Sequence, residues 1–210
     1  MRESGFRRRG SARRISNFKG EKPRIITGSA RGRRLLMPRG NPELRPIMDR
    51  IKMAVFNILG PGFPYRMVLD LFAGSGSLGF EAASRGAELV VMVETDGETT
   101  DNLKRNACEI NLTDRVRIEK REAVSFLSAD TGEYDIIFLD PPFVWMEQGR
   151  IQELVQRALP RLAPDGIIVL RIPAEAVKGF SCAGSIDDVR EYGKSAVVFI
   201  SRSEKANGGR

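Results

Sequence analysis

Hydrophobic residues between positions 66 and 172 fall into short continuous runs that alternate with segments of helical periodicity. The runs predict five strands: MVLDLF (67–72), ELVVMVE (88–94), RVRIEK (115–120), YDIIFLD (134–140) and DGIIVLRI (165–172). The intervening segments predict four helices: 77–87, 98–112, 123–129 and 149–162, the last interrupted near Pro160. Continuous apolar strands separated by helices indicate an α/β fold, with a mostly parallel sheet covered by helices on both faces.

Further elements flank this alternation at both ends. The segment RIITGSARGRRLLMP (24–38) predicts a hairpin of two short strands around a glycine-containing turn. In RPIMDRIKMAVFNILG (45–60) the apolar residues recur every three to four positions, which predicts an amphipathic helix ended by Gly60. The segment GKSAVVFISR (193–202), which follows a short connection after DDVREY, predicts an antiparallel strand that lies near the edge of the sheet or closes it.

The positive charge of the chain is concentrated in its first quarter. The net charge is +7 overall, but residues 1–50 carry +11 and the remainder −4. Such an asymmetry is typical of a polyanion-binding segment attached to a nearly neutral domain, although a solvated tail is an alternative for residues 1–22. We therefore predict a disordered basic extension (1–22), a polyanion-contacting hairpin and helix (23–62), an α/β domain (63–202) and a disordered tail (203–210).

Composition excludes several classes of site. The chain has no histidine, so a Ser-His-Asp or Cys-His centre is excluded. Its two cysteines, Cys108 and Cys182, lack metal-ligand spacing, and we expect no metal site. No apolar run is long enough to span a membrane and the N-terminus lacks an apolar signal core, so we expect a cytoplasmic protein without a membrane partner.

A glycine-rich loop follows the first strand of the alternation. Gly74, Gly76 and Gly79 form G-x-G-x-x-G, and Glu94 lies twenty residues beyond Gly74 at the tip of the second strand. In this context the loop is typical of an adenosine cofactor, with the acid on the ribose hydroxyls. The motif alone does not separate NAD from S-adenosylmethionine. Asp70, four residues before the first glycine, favours the latter, because a fixed negative charge suits an ammonium group better than a pyrophosphate.

The strand DIIFLDPPF (135–143) ends in an acid, two prolines and an aromatic ring. Asp140 is expected at the carboxyl edge of the sheet, beside the glycine loop. The Asp140 carboxylate and the Pro141 carbonyl could hold both N–H groups of a nucleobase amine, while Phe143 stacks on the base. The alternative is a turn that merely ends a strand.

These residues resemble a known family. VLDLFAGSGSLGFEAASRGA, VVMVETD and DIIFLDPPF are similar to the main motifs of class I methyltransferases that modify exocyclic amines. RIITGSARGRRLLMP, LRPIMDRIKMAVFNIL and REYGKSAVVFI resemble the segments that mark the RsmD family of bacterial 16S rRNA guanine-N2 methyltransferases. The resemblance spans residues 24–201. It implies a class I methyltransferase (Rossmann-like) fold and methyl transfer from S-adenosylmethionine to guanine N2 of 16S rRNA, in free rRNA or a small-subunit assembly particle.

The resemblance also assigns residues to roles, which we state as expectations. The catalytic motif is Asp140, Pro141, Pro142 and Phe143. Cofactor contacts are expected from Asp70, Phe72, Ala73, Gly74, Ser75, Gly76, Glu94, Thr95, Glu122, Ala123 and Asp140. RNA contacts are expected from Arg24, Arg31, Arg33, Arg34, Arg45 and Arg50. The chain departs from the family at Glu122, where aspartate is usual, at Phe143, where tyrosine is commoner, and at Met48, where threonine is expected.

Three other functions compete with rRNA methylation. Adenine-N6 methylation of DNA would use the same pocket, but the N-terminal signature and the absence of a separate DNA-recognition domain argue against it. An RNA-binding module with an inactive fold is disfavoured by the intact Asp70, Glu94 and Asp140. A nicotinamide dehydrogenase would leave Asp70 and the Asp-Pro-Pro-Phe motif unexplained. A monomer is the default expectation for the oligomeric state.

Overall fold

A computed structural model of the chain describes residues 22–37, 49–60, 62–147 and 149–202. The predictions for the basic extension, for Arg45 and Met48, and for the tail lie outside the described residues, except for residue 22. Among these residues no helix is long and apolar enough to cross a membrane.

Seven strands form one sheet with the order β3-β2-β1-β4-β5-β7-β6. The strands are β1 (Met67–Asp70), β2 (Leu89–Glu94), β3 (Val116–Lys120), β4 (Tyr134–Leu139), β5 (Leu162–Pro173), β6 (Ser185–Tyr192) and β7 (Ser195–Ser201). The first five strands in this order pair in parallel, whereas β7 runs antiparallel to both β5 and β6. The predicted fold, a mostly parallel sheet with an antiparallel strand near the C-terminus, is confirmed.

Six α-helices accompany the strands in the described part of the chain. They are α1 (Asp49–Ile58), α2 (Ser77–Arg85), α3 (Gly97–Glu109), α4 (Ala123–Ala129), α5 (Val144–Glu147) and α6 (Arg150–Ala158). One buried cluster joins α1, α2, α3 and residues 25–35 to one face of the sheet. A second cluster joins α4, α6 and residues 176–182 to the other face. The sheet is therefore buried on both sides, which explains the continuous apolar runs of its central strands.

The hairpin predicted over 24–38 is present as a turn whose two arms pair, but the arms do not form regular strands. Ile25 N–H donates to the Arg33 carbonyl (2.9 Å) and Leu35 N–H to the Pro23 carbonyl (2.8 Å), and in residues 22–37 the only bridge is the one between Arg24 and Arg34. Other backbone groups of the turn bond to α2: Ser29 N–H donates to the Ser84 carbonyl (2.8 Å), and the N–H groups of Ile26 and Thr27 donate to the buried Glu81 carboxylate (2.7 and 3.0 Å). The segment is thus also fixed by groups of a helix, which local strand propensity does not register.

Strand β6 was not predicted from the sequence. Its residues Ser185–Tyr192 are mostly exposed or half-buried, because β6 lies at the edge of the sheet. The segment carries Asp187, Asp188, Arg190 and Glu191, and it therefore shows no apolar run. Charged residues on an edge strand also discourage pairing with another chain. The short helix α5, directly after the Asp-Pro-Pro-Phe motif, was likewise not predicted.

Candidate active site

The predicted acids meet at one edge of the sheet. From β1 the chain builds outward through β2 to β3, and then returns to place β4 on the other side of β1. The carboxyl ends of β1 and β4 therefore flank a topological switch point, where ligands bind in open α/β sheets. Asp70 ends β1, Glu94 ends β2, and Asp140 directly follows β4.

The glycine loop turns sharply between β1 and α2. Gly74 and Gly76 have φ angles of 50° and 78°, in the region that favours glycine. A Cβ on Gly76 would lie 2.4 Å from the buried Phe80 ring. Gly79 lets α2 approach β1, because a Cβ there would lie 2.3 Å from Met92 Cε and 3.2 Å from Asp70 Oδ2. The glycines thus bring the helix start and the Asp70 carboxyl together.

Asp70 is a buried carboxyl with one unused oxygen. It is 1% exposed, and its Oδ2 accepts from Gly79 N–H at 3.0 Å. Its Oδ1 is buried and has no hydrogen-bond partner among the described residues. Burial, and then the charge of nearby Asp140, raise the pKa of Asp70 to about 7. A cation beside Oδ1 would satisfy the oxygen and stabilise its charge, so this position fits an ammonium group.

Glu94 holds the backbone around the same cleft. Its Oε2 accepts from Gly74 N–H at 3.0 Å, and its Oε1 accepts from the N–H groups of Thr95 (2.8 Å) and Asp96 (2.9 Å). These bonds tie the glycine loop to the turn after β2. Because each carboxylate oxygen can accept about two hydrogen bonds, Oε2 keeps capacity for a ribose hydroxyl.

Glu122 is the N-cap of α4. Its Oε2 accepts from Ser125 N–H at 2.8 Å, and its Oε1 lies 4.0 Å from Arg150 Nη2. Ala123 is buried and begins the helix. The glutamate therefore already has a structural role, and its expected contact with an adenine amine stays a prediction.

An aromatic wall near Glu122 was not predicted. Phe72 and Trp145 meet edge to face with their ring centroids 5.2 Å apart, and the Arg150 guanidinium lies 3.6 Å from the Trp145 ring centroid. Trp145 comes from α5, two residues after the Asp-Pro-Pro-Phe motif. Its place as the single tryptophan of the chain, directly behind that motif, was a signal that could have identified it.

Asp140 forms an ion pair that sequence reasoning also missed. Its Oδ1 accepts from Arg171 Nε at 2.5 Å. Burial raises the pKa of Asp140, and the charge and hydrogen bond of Arg171 oppose that shift. The Phe143 ring is 38% exposed, with the Arg171 guanidinium 4.9 Å from its centroid. The Pro142 carbonyl accepts from Trp145 N–H (3.0 Å) as α5 begins.

The predicted RNA-binding arginines differ in whether they already bond to other groups of the protein. Arg24, Arg31, Arg33, Arg34 and Arg50 are exposed. Arg24 is paired with Asp49 (2.9 Å) and Arg33 donates to the Glu109 carbonyl at the end of α3. Arg50 lies beside the β6–β7 turn, where a Cβ on Gly193 would be 3.6 Å from its Nη2. Arg45 lies outside the described residues.

A buried polar network connects this basic segment to the glycine-loop helix. Lys52 on α1 is fully buried, and its Nζ donates to the Arg24 carbonyl (2.6 Å) and to Ser77 Oγ (3.0 Å). The Glu81 carboxylate lies 3.9 Å away and also pairs with Arg85 Nε at 2.8 Å. Burial lowers the pKa of Lys52, and the charge of Glu81 opposes this. The sequence showed Lys52 only as one polar position of an amphipathic helix.

The acids of the site do not form a metal centre with other residues in the described part of the chain. Over the described ranges, no group of three or more cysteine, aspartate or glutamate side chains is arranged to hold a metal ion. Cys108 and Cys182 are both free thiols.

Residues 23–201 match the protein family described as Conserved hypothetical protein 95. YlbH of Bacillus subtilis is 37% identical over 150 residues, which is 70% of this chain and 80% of that protein. The Ribosomal RNA small subunit methyltransferase D of Escherichia coli is 38% identical over 132 residues, 63% of this chain and 64% of that protein. The solved structure of E. coli yhhF superposes with a TM-score of 0.76 at 30% identity, over 87% of this chain and 99% of that one.

Proposed function

The chain belongs to the family described as Conserved hypothetical protein 95, which is the RsmD family, and we propose that it methylates guanine N2 in the 16S rRNA of the small ribosomal subunit. The observation that carries the proposal is the pair of carboxyls at the carboxyl ends of β1 and β4, the buried Asp70 and the half-buried Asp140. Two neighbouring acids with little exposure favour a cationic ligand and disfavour a pyrophosphate.

The residues around the glycine loop fit S-adenosylmethionine. The unpartnered Asp70 Oδ1 would take its ammonium group, Glu94 Oε2 its ribose hydroxyls, and the Phe72–Trp145 wall with Glu122 would lie at its adenine. When bound, this cofactor supplies an electrophilic methyl group on a sulfonium centre. The remaining expected contacts, Ala73, Ser75, Thr95 and Ala123, belong to the same loops and stay predictions.

The Asp-Pro-Pro-Phe motif holds the acceptor amine. The Asp140 carboxylate and the Pro141 carbonyl accept from its two N–H groups, which directs the nitrogen lone pair at the methyl carbon. In the transfer that S-adenosylmethionine would supply, a carbon–nitrogen bond would form as the carbon–sulfur bond breaks and the neutral thioether leaves, and Asp140 would stabilise the positive charge that develops on nitrogen. The extra proton then leaves to Asp140 or to water. Phe143 stacks on the flipped base, which contributes about 1–3 kcal/mol.

The product of the reaction tests this assignment. Purified protein is incubated with methyl-labelled S-adenosylmethionine and with small-subunit particles or free 16S rRNA that lack the modification. Nuclease digestion and mass spectrometry should detect N2-methylguanosine. Asp140→Asn should abolish transfer, whereas Asp135→Asn, on the same strand but bonded to the N–H groups of Arg66 and Met67 at the opposite edge, should retain it. N6-methyladenosine as the product would contradict the proposal.

The exposed arginines of residues 24–34 contact the RNA backbone in this proposal. Arg31 and Arg34 are the best candidates, because Arg24 and Arg33 already bond within the protein. Replacing both by glutamine should weaken RNA binding and reduce the slope of log affinity against log salt by about one for each phosphate that an arginine neutralises. The exposed Arg157 on α6 provides the matched control. An unchanged slope would show that this segment does not contact the RNA. A cytoplasmic monomer acting on nascent subunits is part of the same proposal.

A further inference from the structure

Arg171 lies next to Asp140 because of the register of two central strands. Strands β4 and β5 run parallel with Leu139 opposite Leu170, so the residues that follow are neighbours at the carboxyl edge. Arg171 is the only charged residue in the apolar run IIVLRI (167–172). A charge in a buried strand requires a specific partner, and the side chain is only 18% exposed.

The guanidinium contacts three parts of the site at once. Its Nε donates to Asp140 Oδ1 at 2.5 Å, and its Cζ lies 4.9 Å from the Phe143 ring centroid. Its Nη1 lies 3.5 Å from Ser195 Oγ at the start of β7, which runs antiparallel to β5. The arginine is therefore supported from a neighbouring strand while it holds both an acid and a ring.

This arrangement leaves the second carboxylate oxygen of Asp140 for the amine that receives the methyl group. Oδ1 is bonded to Arg171, whereas Oδ2 accepts no hydrogen bond from the residues that the structure describes and could accept an N–H of the base. We propose that Arg171 is a positioning residue that fixes the Asp140 carboxylate and the Phe143 ring for the target amine and acts through them. The inference rests on the methyl transfer proposed above. Lysine cannot replace arginine fully, because a lysine ammonium lacks the planar, delocalised group with which arginine can bond the acid and contact the ring at once.

The same contact sets the charge of Asp140. The charged groups that face Asp140 are Arg171 on β5 and Asp70 on β1. Burial raises the pKa of Asp140, and Arg171 is the group that opposes the rise. Without the arginine the carboxyl would hold its proton to a higher pH, and a protonated acid cannot stabilise the developing positive charge as well.

Steady-state kinetics across pH test the inference with Arg171→Met, Arg171→Lys and the control Arg157→Met. In Arg171→Met, kcat should fall on the order of a hundredfold, KM for S-adenosylmethionine should stay near that of the wild type, and the acid limb of the kcat profile should move to higher pH. Arg171→Lys should restore the position of the limb but only part of kcat. An unmoved limb, or a loss of cofactor affinity that matches the loss of kcat, would overturn the inference.

A second measurement separates this inference from the proposed function. Carboxyl ¹³C resonances of labelled aspartate are titrated in the wild type and in Arg171→Met, with Asp140→Asn to assign the signal. The Asp140 midpoint should rise in Arg171→Met. If the wild type methylates no RNA, the function proposal fails, and the titration still decides whether Arg171 controls Asp140: an unmoved midpoint would overturn that role.

Discussion

The buried carboxyl of Asp70 should make the stability of the protein fall as pH rises. Its pKa is about 7 in the folded chain and near the ordinary value of 3.8 when unfolded. A raised folded pKa means that the native state keeps a proton which the unfolded state loses. The unfavourable contribution of Asp70 to the free energy of unfolding is therefore absent below the pKa of the unfolded chain. It grows between the two pKa values and is complete above the pKa of the folded chain.

The size of the effect follows from the shift. A pKa difference of about three units corresponds to about 4 kcal/mol of unfolding free energy. Asp70→Asn removes the titration and keeps an oxygen that can accept from Gly79 N–H. The stability of this variant relative to the wild type should rise by about 4 kcal/mol between about pH 4 and about pH 8.

Urea unfolding at several pH values measures this difference. Glu153→Gln is a suitable control, because it removes one carboxylate from an exposed pair with Arg157 on α6 and should follow the wild-type curve. S-adenosylmethionine should bind more tightly to the wild type as pH rises through about 7, since the ionised carboxylate is the form that attracts a cation. Parallel stability curves for wild type and Asp70→Asn would refute the reasoning.

Other predictions concern the packing beside the site. Gly76→Ala should lower the free energy of unfolding by about 2–5 kcal/mol, because the residue has φ 78° and its Cβ would lie 2.4 Å from the Phe80 ring. The control Gly32→Ala, at φ 80° with no atom within 4 Å of the added Cβ, should lose only the backbone cost of about 1 kcal/mol. Equal losses in the two variants would contradict this prediction. Lys52→Met should destabilise the fold by about 3–5 kcal/mol, because Glu81 loses a buried partner, and a near-neutral value in chemical denaturation would show that Arg85 suffices.

The sequence predicted the central sheet well because burial there is simple. Strands β1, β2, β4 and β5 are covered on both faces, so each appears as a continuous apolar run. Prediction from the sequence failed where tertiary contacts, and not local secondary-structure propensity, determine the backbone conformation. The edge strand β6 is too polar to show a pattern, and the turn at residues 24–34 depends on bonds to Glu81 and Ser84 of α2 as well as on the few bonds between its own arms.

Within the site, the places of the acidic residues were easier to predict from the sequence than the bonds that these residues make. Spacing along the chain brought Asp70, Glu94 and Asp140 to one edge of the sheet, as the structure also places them. The bonds that these acids make were not predictable in the same way. The pairing of Asp140 with Arg171 depends on strand register, and the capping role of Glu122 depends on where α4 begins.

Separate measurement of cofactor binding and methyl transfer tests the central claim most directly. Calorimetric titration with S-adenosylmethionine and single-turnover transfer to the RNA are compared for Asp70→Asn and Asp140→Ala. Asp70→Asn should lose cofactor affinity, whereas Asp140→Ala should bind the cofactor nearly as the wild type does and transfer at least about a hundredfold more slowly. If Asp140→Ala lost binding and transfer to the same extent, the acid would not be the group that holds the amine, and the account would be contradicted.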